Sequence, residues 1–319
     1  MDIPQDLKLE IEKLVEENEH AKIVEESQKI SKIYRENDGT GKKFVTKNSE
    51  AVAYAISRMP ATYAVVYSVL EHTLKNYEKQ IKTVIDIGAG TGAATWAVNE
   101  LISPEKINCL ERETEMIKIG NKLIESVVDN VKWEKFDLLE DKIQEKADLV
   151  IASYVINELN KQDRKDAILK MWNATNDILI IIEPGTPEGF SHILDVREIL
   201  LSCGGNIISP CVHSKECKLS KDDWCSFYVR VARSGIQRLS KNGQLGYEDE
   251  KFSYIAFSRS VSNGNSNILR ILRHPQIEKK HLKVKLCTKD GIQEKVFSKK
   301  DGEIYKRARK SKAGDFLQC

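Results

Sequence analysis

Asp86-Ile87-Gly88-Ala89-Gly90-Thr91-Gly92 follows the short apolar segment Thr83 to Ile87 and runs into Ala93-Ala94-Thr95-Trp96-Ala97. Glycines at alternate positions let a strand turn sharply into a helix and let a ligand approach bare main chain. Outward from this turn the same grammar recurs. Short apolar stretches at Lys106 to Leu110, Leu149 to Ser153 and Ile178 to Ile182 are separated by segments of helical pattern. Strands alternating with helices predict an α/β protein with a doubly wound, largely parallel sheet.

Gly88-Ala89-Gly90-Thr91-Gly92-Ala93 also satisfies the dinucleotide pattern in which alanine replaces the last glycine, so the glycines alone do not name the ligand. Asp86 separates the readings, because a dinucleotide fold usually has an apolar residue there. In a methyltransferase an acid two residues before the first glycine lies near the methionine end of the cofactor. Glu111, after Ile107-Asn108-Cys109-Leu110, stands where an acid accepts hydrogen bonds from ribose hydroxyls, a feature both cofactors share. Asp137, in Trp133-Glu134-Lys135-Phe136-Asp137, stands where methyltransferases often bind the adenine amino group. Asp86, Gly88, Gly90, Gly92, Glu111 and Asp137 together predict a class I S-adenosylmethionine-dependent methyltransferase fold, Rossmann-like, with S-adenosylmethionine as cofactor. The competing reading makes the acids surface carboxylates of a different α/β protein.

Around this core, Leu7, Ile11, Leu14, Val15 and Ile23 fall near helical spacing within Leu7 to Glu36, and helix continues over residues 50–76 with Pro60 marking a boundary. Between Ser202 and Gly246 the apolar periodicity lapses, and strand character returns at Phe252 to Phe257 and His281 to Leu286. The expected plan is a helical N-terminal region (1–80), a methyltransferase-like core (81–201), a cysteine-bearing, metal-binding insert (202–250), and C-terminal strands that complete the core before a basic tail (251–319).

Fifty basic and 48 acidic residues leave a net charge of +2, which decides nothing about a polyanionic partner. Their distribution is uneven. Residues 1–20 carry seven acids against Lys8 and Lys13, whereas residues 295–312 carry eight bases against Asp301 and Glu303. No apolar run approaches the roughly 18 residues of a membrane helix. The acidic start is unlike a secretory signal or an Arg-rich targeting peptide, so a cytoplasmic protein with no membrane partner is expected.

Seven cysteines, an odd number without a signal peptide, favour metal ligation over a disulfide framework. Cys211, Cys217 and Cys225 form C-x5-C-x7-C, and Cys287 follows 62 positions later at the end of a predicted strand. Four converging thiolates suit zinc or an iron-sulfur cluster, and this spacing is not the C-x2-C pair of a zinc ribbon. The alternative is four small buried hydrophobes. His213 is a candidate substitute ligand, while Cys109, mid-strand, and Cys319, terminal, are not expected to ligate.

Several ordered motifs carry a resemblance: Arg58-Met-Pro-Ala-Thr-Tyr63, the Asp86 turn, Tyr154-Val-Ile-Asn-Glu-Leu159, Glu183-Pro-Gly-Thr186, Pro210-Cys-Val-His213, Asp223-Trp-Cys225, Tyr247 to Tyr254 and Tyr305-Lys-Arg-Ala-Arg-Lys310. From about Arg58 to Leu317 the chain resembles the Rsm-twenty-two-like family of small ribosomal subunit proteins. The resemblance implies binding to the small ribosomal subunit and its rRNA during maturation, with no DNA partner. It also implies a 4Fe-4S cluster, in preference to zinc, on Cys211, Cys217, Cys225 and Cys287.

Catalysis is a separate question. The residues after the fourth strand, Ser153-Tyr154-Val155-Ile156-Asn157-Glu158, lack the Asn-Pro-Pro-Tyr motif that positions an exocyclic amine. Tyr154 could stack on a base and Asn157 could hydrogen-bond one, or both could serve packing and capping. Cys211 as a pyrimidine nucleophile is disfavoured, because it belongs to the metal group. Two functions follow: an rRNA methyltransferase, or a non-catalytic assembly factor that keeps the fold for docking on rRNA through its basic tail.

Overall fold

The computed structural model describes residues 1–35, 45–75, 77–219, 222–240, 243–260 and 268–318; the expectations at Glu36, Asn76 and Cys319 lie outside the described residues. The chain opens with helices α1 (Gln5–Glu16), α2 (His20–Arg35), α3 (Asn48–Ser57) and α4 (Met59–Leu74). Leu7, Ile11 and Leu14 make the buried stripe of α1 at the expected helical spacing. Pro60 sits in the first turn of α4, where its missing N–H interrupts no helical bond, and Arg58 is the joint between α3 and α4.

The core then runs β1 (Thr83–Ile87), α5 (Ala93–Ile102), β2 (Lys106–Glu111), α6 (Thr114–Ile124), β3 (Val131–Lys135), β4 (Ala147–Ser153), α7 (Lys161–Asn173), β5 (Thr175–Pro184), α8 (Pro187–Ser202), β6 (Asn206–Ser209), β7 (Phe227–Ala232), α9 (Gly235–Ser240) and β8 (Tyr247–Ser258). Strands β3-β2-β1-β4-β5 are parallel; β8 follows antiparallel to β5, with β6 beyond it. The central strands read as nearly continuous apolar runs because both faces are covered. Val84, Ile107, Leu149, Ile151 and Ile180 pack toward the layer of α3 to α6. Ile85, Val150, Leu179 and Ile181 point the other way, against Ile168 and Trp172 of α7 and Val196 and Leu200 of α8.

Two expectations need correction. The stretch read as an irregular insert contributes β6 and β7 to the main sheet, with β7 pairing the first half of the 12-residue β8. Only β8 of the C-terminal strands completes the core. The rest, β9 (Ile268–Ile271), β10 (Gln276–Ile277), β11 (His281–Thr288), β12 (Gly291–Ser298) and β13 (Phe316–Gln318), form a second sheet. Helix α10 (Gly302–Lys310) covers it, and Leu282, Val284, Leu286, Phe297 and Tyr305 are among the residues of its own core. Among the described residues no helix is long and apolar enough to cross a membrane.

Candidate functional site

The glycine turn lies at the C-terminal edge of the parallel strands, the usual ligand crevice of such sheets. Gly88 and Gly90 hold φ of +65° and +56°, conformations that side chains on L-residues resist. A Cβ on Gly88 would also stand 2.6 Å from Val155 Cγ2. Gly92 begins α5. Glu111 closes the turn from the end of β2: its Oε2 accepts from Gly90 N at 2.7 Å and its Oε1 from Glu113 N at 2.8 Å. Burial raises the Glu111 carboxyl above its ordinary range, and those two N–H groups oppose the rise.

Asp86, fully buried, lies behind the turn. Its Oδ2 accepts from Thr95 N at 3.1 Å and Thr95 Oγ1 at 2.8 Å, while its Oδ1 has no partner. Burial pushes this carboxyl up to about 7, against the pull of the two Thr95 bonds. A buried carboxylate oxygen without a donor is costly, and a cationic ligand group would satisfy it.

Gly88, Gly90, Glu111 and Asp137 border one cleft of about 110 Å³. Its walls include Met116, Phe136, Leu138 and Leu139, which give Asp137 an apolar surround suited to a flat ring. Asp137 Oδ1 accepts from Leu139 N at 3.0 Å, which fixes its carboxylate at the rim.

Three cleft residues did not come from the sequence as site residues. Tyr54 reaches over Gly90 from α3, a helix with no nucleotide-binding signal. Arg112 and Glu158 also line the cleft, and burial with the neighbouring Glu111 drives Glu158 up to about 8. Glu158 belongs to the quoted Tyr154 to Leu159 motif, so its position was visible but its role was not. Tyr154 lines the cleft with a φ of +62°; its hydroxyl and Asn157 Oδ1 are buried and unpartnered.

The four cysteines converge from both sheets. Cys211 and Cys217 lie in the loop after β6, Cys225 just before β7, and Cys287 on β11. All four border one small, mostly apolar cavity with Pro210, Leu219, Leu272 and Ile292. Among the described residues, no three His, Cys, Asp or Glu side chains close on a common point as metal ligands. The thiols nevertheless feel one another. Burial, then the nearby Cys287, pushes Cys211 up to about 11, and burial, then Cys211, Cys217 and Cys287, raises the Cys225 thiol well above its ordinary range.

Side-chain bonds around the loop tie the sheets together. Asp223 accepts from Arg273 Nη2 and, at 2.7 Å, from Lys285 Nζ; Trp224 Nε1 donates to the Gly185 carbonyl at 2.9 Å. His213 gives only its carbonyl, to Arg197 Nη2 at 3.2 Å, and does not border the cavity. Cys109 is buried in β2, 3.0 Å from Thr95 Oγ1 and away from the other thiols.

Strand order 3-2-1-4-5 followed by an antiparallel strand, with a glycine turn after the first strand and an acid at the end of the second, defines a Rossmann-like protein of the class I methyltransferase type. The chain belongs to the family described as Mitochondrial small ribosomal subunit Rsm22, whose profile matches residues 48–318. It is 26% identical over 290 residues to the human mitochondrial ribosome assembly protein METTL17, covering 84% of this chain and 62% of the relative. The chain thus spans about 62% of the length of the curated relatives it matches. Solved structures similar to it include a SAM-dependent methyltransferase from Aquifex aeolicus (16% identity, 68% of this chain and 100% of that one, TM-score 0.43). Another is the N-methyltransferase NodS from Bradyrhizobium japonicum (13% identity, 61% and 85%, TM-score 0.42).

Proposed function

We propose that this chain binds S-adenosylmethionine over its glycine turn, carries a 4Fe-4S cluster on Cys211, Cys217, Cys225 and Cys287, and acts on the small ribosomal subunit and its rRNA during assembly. The observation that carries the cofactor reading is the unpartnered Asp86 Oδ1 buried behind three positive-φ glycines. In this reading Asp86 takes the charge of the methionine ammonium, Glu111 accepts from the ribose diol with its remaining lone pairs, and Asp137 accepts from the adenine amine. S-adenosylmethionine supplies an electrophilic methyl group when bound; the protein's part is to hold it and exclude water.

The cluster reading is supported by the donor set: four soft sulfur ligands, and no carboxylate among the described residues, around one mostly apolar cavity. Family membership and the assembly role in the human relative's name support the ribosomal partner. A docking role, with or without catalysis, has support of its own. Lys306, Arg307, Arg309 and Lys310 are exposed on α10, on the second sheet, and would neutralise rRNA phosphates whether or not a methyl group moves.

The test pairs two measurements. In cells lacking the protein, rRNA is mapped for lost methyl groups, and rescue is compared between wild type and Asp86→Ala. A lost methyl restored only by wild type establishes the enzyme; full rescue by Asp86→Ala, or failed assembly with every methyl present, establishes the docking role. Calorimetry with S-adenosylmethionine and metal analysis on the same anaerobically purified sample test the ligands. No heat of binding, or stoichiometric zinc without iron, refutes the corresponding half.

A further inference from the structure

Two arginines beside the cysteines lack the counter-charge that burial demands. Arg270, 1% exposed, stands on β9 directly across from Cys287 on β11. Its Nε donates to the Pro210 carbonyl at 3.0 Å, its Nη2 to Ser209 Oγ at 3.1 Å and its Nη1 to the Gly314 carbonyl. The guanidinium carbon lies 3.5 Å from the centre of the Phe316 ring. Arg197, 7% exposed on α8, donates through Nη2 to the carbonyls of His213 and Lys215, and its Nε has no partner. Both arginines border the four-cysteine cavity.

Every one of these acceptors is neutral, and among the described residues neither arginine meets a carboxylate. Less buried arginines in the same molecule do: Arg233 pairs with Glu248 at 2.8 Å and Arg273 with Asp223. Burying a cation without an anion is strongly unfavourable. The place both cations share is the cavity; among the described residues its lining holds no carboxylate, and its acidic groups are the four thiols and the weaker Tyr254 phenol, which is bonded to Ser209. The missing anion therefore belongs there.

We infer that Arg270 and Arg197 are the counter-charge of an anionic tetrathiolate iron-sulfur centre and set its reduction potential. The inference rests on the cluster reading above. Four thiolates around a core with two positive charges leave two negative charges, which the two guanidiniums neutralise. Adding one electron leaves a third negative charge, and the nearby cations favour that step. Arg270 also fixes the carbonyl of Pro210, the neighbour of Cys211, so its charge and its positioning need separate variants.

The experiment uses the full chain, reconstituted anaerobically with iron and sulfide, as wild type, Arg270→Lys, Arg270→Met and Arg197→Met. Iron per chain, the visible spectrum and an EPR-monitored redox titration are read on each. Removing the charge of Arg270 is expected to disfavour the reduced cluster about tenfold, or about 59 mV for one electron, while Arg270→Lys stays near wild type. Arg197→Met is expected to move the potential the same way and keeps every bond of Arg270, so it decides the matter if Arg270→Met does not load. Loaded charge-removing variants at the wild-type potential would overturn the inference. Wild type without iron overturns the cluster reading itself, and the difference is read on the unaltered protein.

Discussion

The glycine turn and the four-cysteine site are built in opposite ways. The turn is made by seven consecutive residues whose main supports, Thr95 and Glu111, lie within 25 positions of Asp86. The cysteine site draws on a loop of the first sheet and a strand of the second, so it exists only after the two sheets meet. A site of the first kind is held by its own backbone before any ligand arrives. One of the second kind gains order from its ligand, because a four-thiolate centre does not exist in the unfolded chain and its binding energy is folding energy.

Cys287→Ser is the harshest way to test that contrast, and the largest effect is expected there. Iron should fall from a full complement to near zero in metal analysis. Hydrogen exchange should quicken in residues 206–232 and 268–318 while β1, β2 and the glycine turn keep their protection. Uniform quickening across the chain would show that the two regions are not independent.

Asp86→Asn is the converse test. Replacing a charge-assisted contact by a neutral one is expected to weaken S-adenosylmethionine by about 30–150-fold, for the roughly 2–3 kcal/mol of such a bond, with iron content unchanged. Stability should move the other way. The carboxyl is raised to about 7 from an ordinary 3.8, so its contribution to stability is full below the ordinary value and lost as pH rises through 7. Asparagine does not titrate, so at pH 8 the ligand-free variant should melt above wild type. Melting below wild type there would mean that Asp86 is structural.

The same carboxyl gives an effect of intermediate size. A cationic ligand needs the ionised form, so S-adenosylmethionine affinity should fall up to about tenfold per unit as pH drops below 7, with protons released on binding. Calorimetry in two buffers of different ionisation heat measures that release. Affinity flat from pH 6 to 8 would place the ammonium elsewhere than at Asp86.

This contrast also explains what the sequence disclosed. β1 runs from Thr83 to Ile87 as expected, because four apolar or branched residues around Asp86 end at a turn with three glycines and local chemistry leaves no other choice. The acids at the ends of β1 and β2 were legible for the same reason, since each is placed by its own strand end. β9, β12 and β13 were not legible. Ile268–Ile271 is four residues long, Gly291–Ser298 mixes charge with its apolar positions, and Phe316–Gln318 follows a basic helix. Their strand character comes from pairing with β11 and with one another, which no local window contains. The separate second sheet was missed on that account, and with it the placement of Arg270 opposite Cys287. Tyr54 was invisible as a cleft residue for a related reason: it belongs to α3, and only tertiary packing brings it over Gly90.

The smallest effect concerns the outer face of the second sheet. Helix α10 turns Tyr305 and Ala308 inward and leaves Lys306, Arg307, Arg309 and Lys310 exposed. Lys306 is tied to Glu303 at 2.6 Å, a pair in full solvent that adds little to stability. Lys306→Gln should therefore leave the melting temperature alone. If α10 meets rRNA phosphates, the variant should bind small-subunit RNA a few-fold more weakly at moderate salt, and the slope of log affinity against log salt should fall by about 1. Neither iron content nor S-adenosylmethionine binding should move, since α10 touches neither site. An unchanged salt slope for Lys306→Gln, repeated for Arg309→Gln, would remove this helix from the RNA surface and turn attention to Arg273 and Lys285, where any RNA contact would compete with their bonds to Asp223 of the cysteine loop, which join the two sheets.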